Sequence, residues 1–399
     1  MFTYIERKII KVATLIVVGL VIFSVQAYGE AGSGSAVIIP SGDVVAGSSG
    51  TWTIRYTAVD TFIHGVLEVT IPSGWSSPQA GDSSVAGYTT VSTGGVLDDP
   101  AITIAGRKIT VHIAELDTNE TVDIVYGDDS KNALGAAIAQ TNSEDNVVFQ
   151  VASDPVGTSP LPISSSPSLN VIPADVAKLG FITPERSVTA GEISDVLIVR
   201  TYDVYDNPAP VTGDKKIYLH TTSTTGEFSH LGGSSFSATD TVVIQNGEDT
   251  VSFYYRDQTS STYTITASAV DESWTPAQQQ ITVDADQPFK IVVSPEDTTA
   301  TAGDYVRFLI LIKDVYGNRS NLNNDLTVTL YSTGGDFYLP SDHSSSITSV
   351  VISSGSSSKE VDYRNTVKDI SSGYLLGFLD QDGTPPALES AFTNIYIDN

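Results

Sequence analysis

VRFLILIKDVYGN, residues 306–318, decides how this chain folds. Val306, Phe308, Ile310 and Ile312 recur with a period of two, which sends them to one face of a strand. The run then stops at Asp314-Val315-Tyr316-Gly317-Asn318. Asp and Asn bond their own backbone and tolerate left-handed conformations, and Gly takes positive φ without steric cost, so these five residues form a strand-ending turn. The same alternation is found along the chain. Trp52, Ile54 and Tyr56 oppose Thr51, Thr53 and Arg55; Leu326, Val328 and Leu330 alternate with Thr327, Thr329 and Tyr331; Ile265 and Ala267 lie among Thr264, Thr266 and Ser268. Each such strand buries one face and wets the other. Helical spacing is nearly absent, and Lys131–Gln140, interrupted by Gly135, predicts no more than a turn or two. Short strands with turn signals about every ten residues predict β-sandwiches.

The turn at 314–318 is also one member of an internal repeat, which fixes the domain organisation. Thr189-Ala190-Gly191-Glu192 returns as Thr301-Ala302-Gly303-Asp304, and Asp203-Val204-Tyr205-Asp206-Asn207 returns as Asp314–Asn318. Gly226-Glu227-Phe228 returns as Gly335-Asp336-Phe337, and Tyr255-Arg256-Asp257 as Tyr363-Arg364-Asn365. The order is kept at a spacing of about 110 residues, close to the ~100 of one immunoglobulin-like sandwich. The expectation is an all-β chain of three beads in a rod: a sandwich over 36–173 and two immunoglobulin-like copies over 174–285 and 286–399. The Pro- and Ser-rich stretch 154–173 marks the first boundary and Pro288 the second.

Composition narrows the function. Against 47 Asp and Glu the chain has 20 Lys and Arg, a formal charge of −27, which leaves phosphate backbones and anionic membranes little to bind. Having no cysteine, it has no disulfide framework, thiolate metal site or thiol nucleophile. Arg7, Lys8 and Lys11 precede the uncharged run Val12–Val25, shorter than the ~20 residues a membrane span needs. With Val25-Gln26-Ala27 after it, residues 1–27 read as a secretory signal cut after Ala27. The alternative is an uncleaved anchor lengthened by Ile9 and Ile10. Loss of Glu6, Arg7, Lys8 and Lys11 with the signal would take the charge from −27 to −29. No stable membrane span is expected after that cleavage.

The two copies resemble the bacterial immunoglobulin-like (Big) domains of the invasin and intimin type. The residues that carry the likeness are the Asp-x-Tyr-Gly/Asp-Asn turn, the Gly-Glu/Asp-Phe turn, and the Tyr-Arg-Asp/Asn strand end followed by Tyr263-Thr264-Ile265-Thr266-Ala267. The second copy departs at Gly373-Tyr374-Leu375-Leu376-Gly377, and in the first bead only Gly65–Trp75 resembles an exported multidomain protein. The resemblance implies a bacterial protein that is secreted or at the cell surface, a non-enzymatic spacer or adhesive module. Its partners would be envelope components or a surface protein or glycan of a host or neighbouring cell, with no nucleic acid among them. An accessory portion of an enzyme carried on another chain is a weaker alternative.

Candidate sites are few. His64, His112, His220, His230 and His343 are dispersed without zinc spacing, and neither a Gly-x-Ser-x-Gly elbow nor a phosphate loop occurs. No cofactor is expected. Calcium is a sharper possibility than catalysis: Asp203, Asp206 and Asp214, and in the other copy Asp314, Asn318 and Asp325, offer hard oxygens near a domain end. They lack the order of an EF-hand loop, and the plainer reading is strand-ending turns and a solvated acidic face. Lys313, at a strand end, is the position to check for a crosslink to an acid. The rival function is carbohydrate binding by the first bead, through Trp75 after Gly74 and through Tyr88, with Trp274 a lesser platform. Each ring has the alternative of capping a sandwich core, and Trp52 reads as core.

Overall fold

The computed structural model describes residues 32–399 apart from 158, 231, 233 and 382–386, so the predicted leader, residues 1–27, lies outside the described residues. The chain divides into two compact units, to Ala174 and from Asp175.

In the first unit, a four-stranded sheet is ordered Ser35–Ile39, Trp52–Thr57, Thr121–Tyr126, Thr89–Thr93. It faces a five-stranded sheet ordered Leu161–Pro162, Gln150–Asp154, Phe62–Thr70, Lys108–Leu116, Val96–Ala105. Ile54 pairs with Ile124 in one and Leu67 with Val111 in the other, and all four side chains are fully buried. The period of two in the sequence is thus the inward face of each sheet. Lys131–Gln140 gives one 3-10 turn, Ala133–Gly135, capped by the Asn132 side chain on the Leu134 amide at 3.1 Å. One turn is what remains when Gly135 must pack against the Asp128 carbonyl, where a Cβ would stand 2.6 Å away.

The second unit holds two sandwiches with separate cores, one spanning Leu179–Val283 and the other Ile291–Ile397. In the first, Val176–Phe181, Leu197–Asp203, Thr250–Arg256 and Glu227–Ser229 form one sheet. Arg186–Thr189, Ala277–Asp284, Ser261–Ala269, Lys215–Thr221 and Asp240–Ile244 form the other. The opening segment is split between sheets: Val176–Phe181 runs antiparallel to Leu197–Asp203, and Arg186–Thr189 runs parallel to Ala277–Asp284. This split is an immunoglobulin-like arrangement.

The other sandwich repeats it. Lys290–Ser294, Tyr305–Lys313, Ser358–Arg364 and Asp336–Leu339 gain an edge strand, Asp342–Ile347, and face Thr298–Thr301, Ala391–Asp398, Asp369–Asp380, Leu326–Ser332 and Ser349–Ile352. The sequence departure at Gly373 is a bulge: Asp369 pairs with Ile397 but Tyr374 with Ile395. Five residues there span what two span opposite, and Leu376 and Phe378 still reach the core.

Candidate functional site

Strand order decides where the repeated turns lie. In each copy, the Asp-x-Tyr-x-Asn turn closes the strand ending at Asp203 or Asp314 and sits at one end of its sandwich. The Thr-Ala-Gly turn and the turn after Tyr-Arg-Asp/Asn sit at the opposite end, where the last strand also leaves. Consecutive copies therefore bring unlike ends together. The contact between the two sandwiches of the second unit is built from these motifs.

Asp314 is fully buried, and its carboxylate closes its own loop. Oδ1 accepts the Tyr316 and Asn318 amides at 3.0 and 2.8 Å, and Oδ2 accepts Asn318 Nδ2 at 2.8 Å. Gly317, at φ +92°, supplies the left-handed step. The loop so held reaches the preceding sandwich. Asn318 Oδ1 accepts the Ser260 amide at 2.9 Å, and Nδ2 also donates to the Gln258 carbonyl at 2.8 Å. The linker is fastened as well: the Asp286 amide donates to Asp314 Oδ2 at 3.0 Å, and Ser320 Oγ donates to the Asp286 carbonyl at 2.6 Å. Tyr316 lays its phenol on Gly191, where any Cβ would overlap the hydroxyl and ring. Gly191 is thus required twice, for this approach and for its φ of +85°. Across the joint, backbone amides and carbonyls meet the Asn318 amide, the Asp314 carboxylate and the Ser320 hydroxyl in directional pairs, which fix an orientation. Beside the joint lies a polar crevice of about 430 Å³ lined by Ser260, Asp284, Asp286 and Arg319.

Gly191 hangs on a second buried acid. Its amide donates to the Asp257 carbonyl at 2.7 Å, while the Asp257 carboxylate accepts the Tyr255 hydroxyl at 2.6 Å, the Thr259 amide at 3.0 Å and the Thr225 hydroxyl. Burial pushes this carboxyl up, but the hydrogen bonds from Ser223, Thr225, Thr259 and Tyr255 outweigh it and hold it below the usual carboxylate range. A group depressed in the folded state stabilises at neutral pH and loses that contribution as pH falls through the ordinary value near 3.9 and then its own. The second sandwich is therefore expected to lose stability on its acid limb, and Asp257→Asn to flatten that limb at a cost of about 1–3 kcal/mol at pH 7. Thermal unfolding between pH 2 and 7 checks this; an unchanged acid limb would sink it. The other copy has Asn365 at this place, its amide on the Tyr363 hydroxyl at 3.3 Å.

The six calcium candidates do not converge. Asp203 repeats the loop closure of Asp314, accepting the Tyr205 and Asn207 amides at 2.8 Å each. Asp206, at φ +73°, stands where Gly317 does and pairs with Lys178. Asp214 and Asp325 accept the Asn246 and Ser354 amides at 2.9 and 2.8 Å. Among the described residues, no three His, Asp or Glu side chains are grouped to hold a metal. Asp203, Asp214, Asp314 and Asp325 accept amides, as does Asn318 Oδ1, while Asp206 pairs with Lys178, so each oxygen serves its own turn or the joint.

Trp75 corrects the expectation of an exposed indole. It is 2% exposed, edge-on to Trp52 at 4.8 Å and Phe149 at 5.1 Å, and has no face left for a sugar. The ring turns inward because a buried indole removes a large area from water. Tyr88 is half-buried, with the Lys131 ammonium 5.9 Å from its ring centre, and Trp274 packs against the second core. Lys313 is only half-buried. The histidines stay apart: His64 lies 3.4 Å from Asp98, His112 bonds Thr103, His220 stacks on Tyr218, His230 bonds Asp240 and His343 bonds Asp362. Sequence reasoning missed Gly191, Gln258, Ser260, Asp286 and Ser320 as joint residues. The signal for Gly191 was present, since Thr-Ala-Gly and Asp-x-Tyr-x-Asn recur together.

No protein-family model matches the chain, and no curated protein does. Among solved structures it is similar to invasin, a bacterial integrin-binding protein, at 15% identity and TM-score 0.36, over 92% of this chain and 60% of that one. It is also similar to domains 4–9 of the surface layer protein SbsC, at 13% identity and TM-score 0.24, over 92% of this chain and 48% of that one. This chain thus spans 60% of the length of the invasin chain it matches.

Proposed function

We propose that the chain is a secreted or cell-surface, non-enzymatic structural and adhesive protein, whose repeated sandwiches act as spacers held at a fixed attitude. The joint carries this reading. A flexible linker needs no side chain that bridges two domains, whereas Asn318 spends both amide hydrogens and its oxygen on such bridging and on its own loop. A stiff joint transmits position, which is what a spacer does. The formal charge of −27 keeps such modules apart from one another and from polyanions. On this reading the partners are envelope components or a protein on an apposed surface, reached by loops that the sandwiches present. The sugar-binding alternative loses its main residue with Trp75 in the core.

The test uses the absence of native cysteine. Lys216→Cys and Lys359→Cys put spin labels on exposed positions of the two sandwiches. A single narrow distance distribution is expected, and Asn318→Ala with Tyr316→Ala should broaden it while each sandwich stays folded. A distribution already broad in the parent chain would end the fixed-spacer reading.

A further inference from the structure

The receiving half of the joint occurs twice in the second unit, and among the described residues one of the two is open. In the filled one, the Ala190 amide donates to the Asp284 carbonyl at 2.8 Å and the Gly191 amide to the Asp257 carbonyl at 2.7 Å. In the other sandwich, the Ala302 amide donates to the Asp398 carbonyl at 2.8 Å and the Gly303 amide to the Asn365 carbonyl at 2.8 Å. The following turn matches too: the Val367 amide meets Asn365 Oδ1 at 2.9 Å, as the Thr259 amide meets Asp257 Oδ1 at 3.0 Å. Gly303 has φ +94° against +85° at Gly191. The difference is in what stands over the glycine. At Gly191 a Cβ would strike the Tyr316 phenol; at Gly303 the nearest atom is Arg364 Nη2 at 3.9 Å.

We infer that the corner formed by Gly303, Asn365 and the 366–368 turn is a socket for the Asp-x-Tyr-x-Asn loop of a further sandwich of this kind. The groups that would receive the incoming asparagine belong to the backbone, at Thr366 and Lys368 where the filled socket uses Gln258 and Ser260. Their side chains differ between copies, but a carbonyl and an amide are common to all residues. Val367, 61% exposed, lies on the rim and would be covered by the arriving domain. Asp398 occupies the place of Asp284, so a sandwich joined after Asn399 in the test below enters in the register of the filled joint.

This inference rests on the fixed-spacer reading, and the experiment separates the two. The full chain is extended by a second copy of residues 286–399 placed directly after Asn399. Spin labels go on Lys359→Cys of the original sandwich and of the added one, and the Lys216–Lys359 pair is measured in parallel. A distribution as narrow as that of the native pair is expected, with loss of the single narrow distance when Tyr316→Ala and Asn318→Ala are made in the added copy alone. Four Gly-Ser residues inserted at the new junction give the unseated reference. A new junction as broad as that reference, beside a narrow native pair, overturns the socket and leaves the spacer reading standing. A broad native pair overturns both. Circular dichroism of the extended chain confirms that the added sandwich has folded before either conclusion is drawn.

Discussion

Trp75→Ala is expected to destabilise the first unit by about 3–5 kcal/mol, the range for deleting a large buried aromatic. The ring is the hub of an aromatic group: edge-on to Trp52 and Phe149, and 6.5 Å from Tyr126. Its own loop cannot move in to fill the space. Arg107 clamps that loop from outside, donating Nε to the Ile71 carbonyl at 3.0 Å and Nη2 to the Trp75 carbonyl at 2.7 Å and to that of Pro72. A held backbone relaxes little, so the cavity persists and the upper part of the range applies. Trp75→Phe should recover much of the loss. Chemical denaturation followed by near-ultraviolet circular dichroism measures it, and polysaccharide is expected to leave the parent's tryptophan emission unchanged. A Trp75→Ala chain of parental stability that lost saturable sugar binding would restore the platform reading.

Asp314→Ala should cost the third sandwich about 3 kcal/mol, the upper end of what a hydrogen bond to a charged group contributes. Four donors converge on that carboxylate: the amides of Tyr316, Asn318 and Asp286 and the Asn318 side chain. Alanine leaves these part-buried donors without their acceptor, and hydrogen bonds to a charged group contribute about 1.5–3 kcal/mol each. Two readouts should move together, because one carboxylate closes the loop and fastens the linker. The unfolding midpoint of the third sandwich falls, and the label distance across the joint broadens. Asp314→Asn keeps the shape but turns an NH2 group toward amide donors, so it should sit between parent and alanine. A loss under about 1 kcal/mol would mean the donors find water and the network is peripheral.

Much of the architecture was legible in the chain. Alternation at Val306–Ile312 and Trp52–Tyr56 reads directly because a strand's side-chain period is two wherever one face is buried. The copy-to-copy recurrence of Gly191 and Gly303, and of Asp203 and Asp314, is legible for a similar reason. A tight turn tolerates few residue types, so its sequence returns with its shape. The functional side was less readable. Trp75 follows Gly74 and precedes Ser76-Ser77-Pro78, which is loop language, yet the loop folds over the end of a core and buries the ring. The acids at 203, 206, 214, 314 and 325 look like ligands in a list, whereas in space each serves a different amide or a lysine.

The sequence by itself determined strand, turn and repeat, because those depend on neighbours within a few residues and on one face being dry. Only the tertiary structure decided which end of a sandwich each repeated turn occupies. That depends on strand order across two sheets, which pairs residues more than fifty positions apart. The contact of Tyr316 with Gly191, and the open place over Gly303, follow from that order. Every residue type at the joint is also a good turn residue, so composition offers no way to tell a turn that ends a strand from one that also receives the next domain.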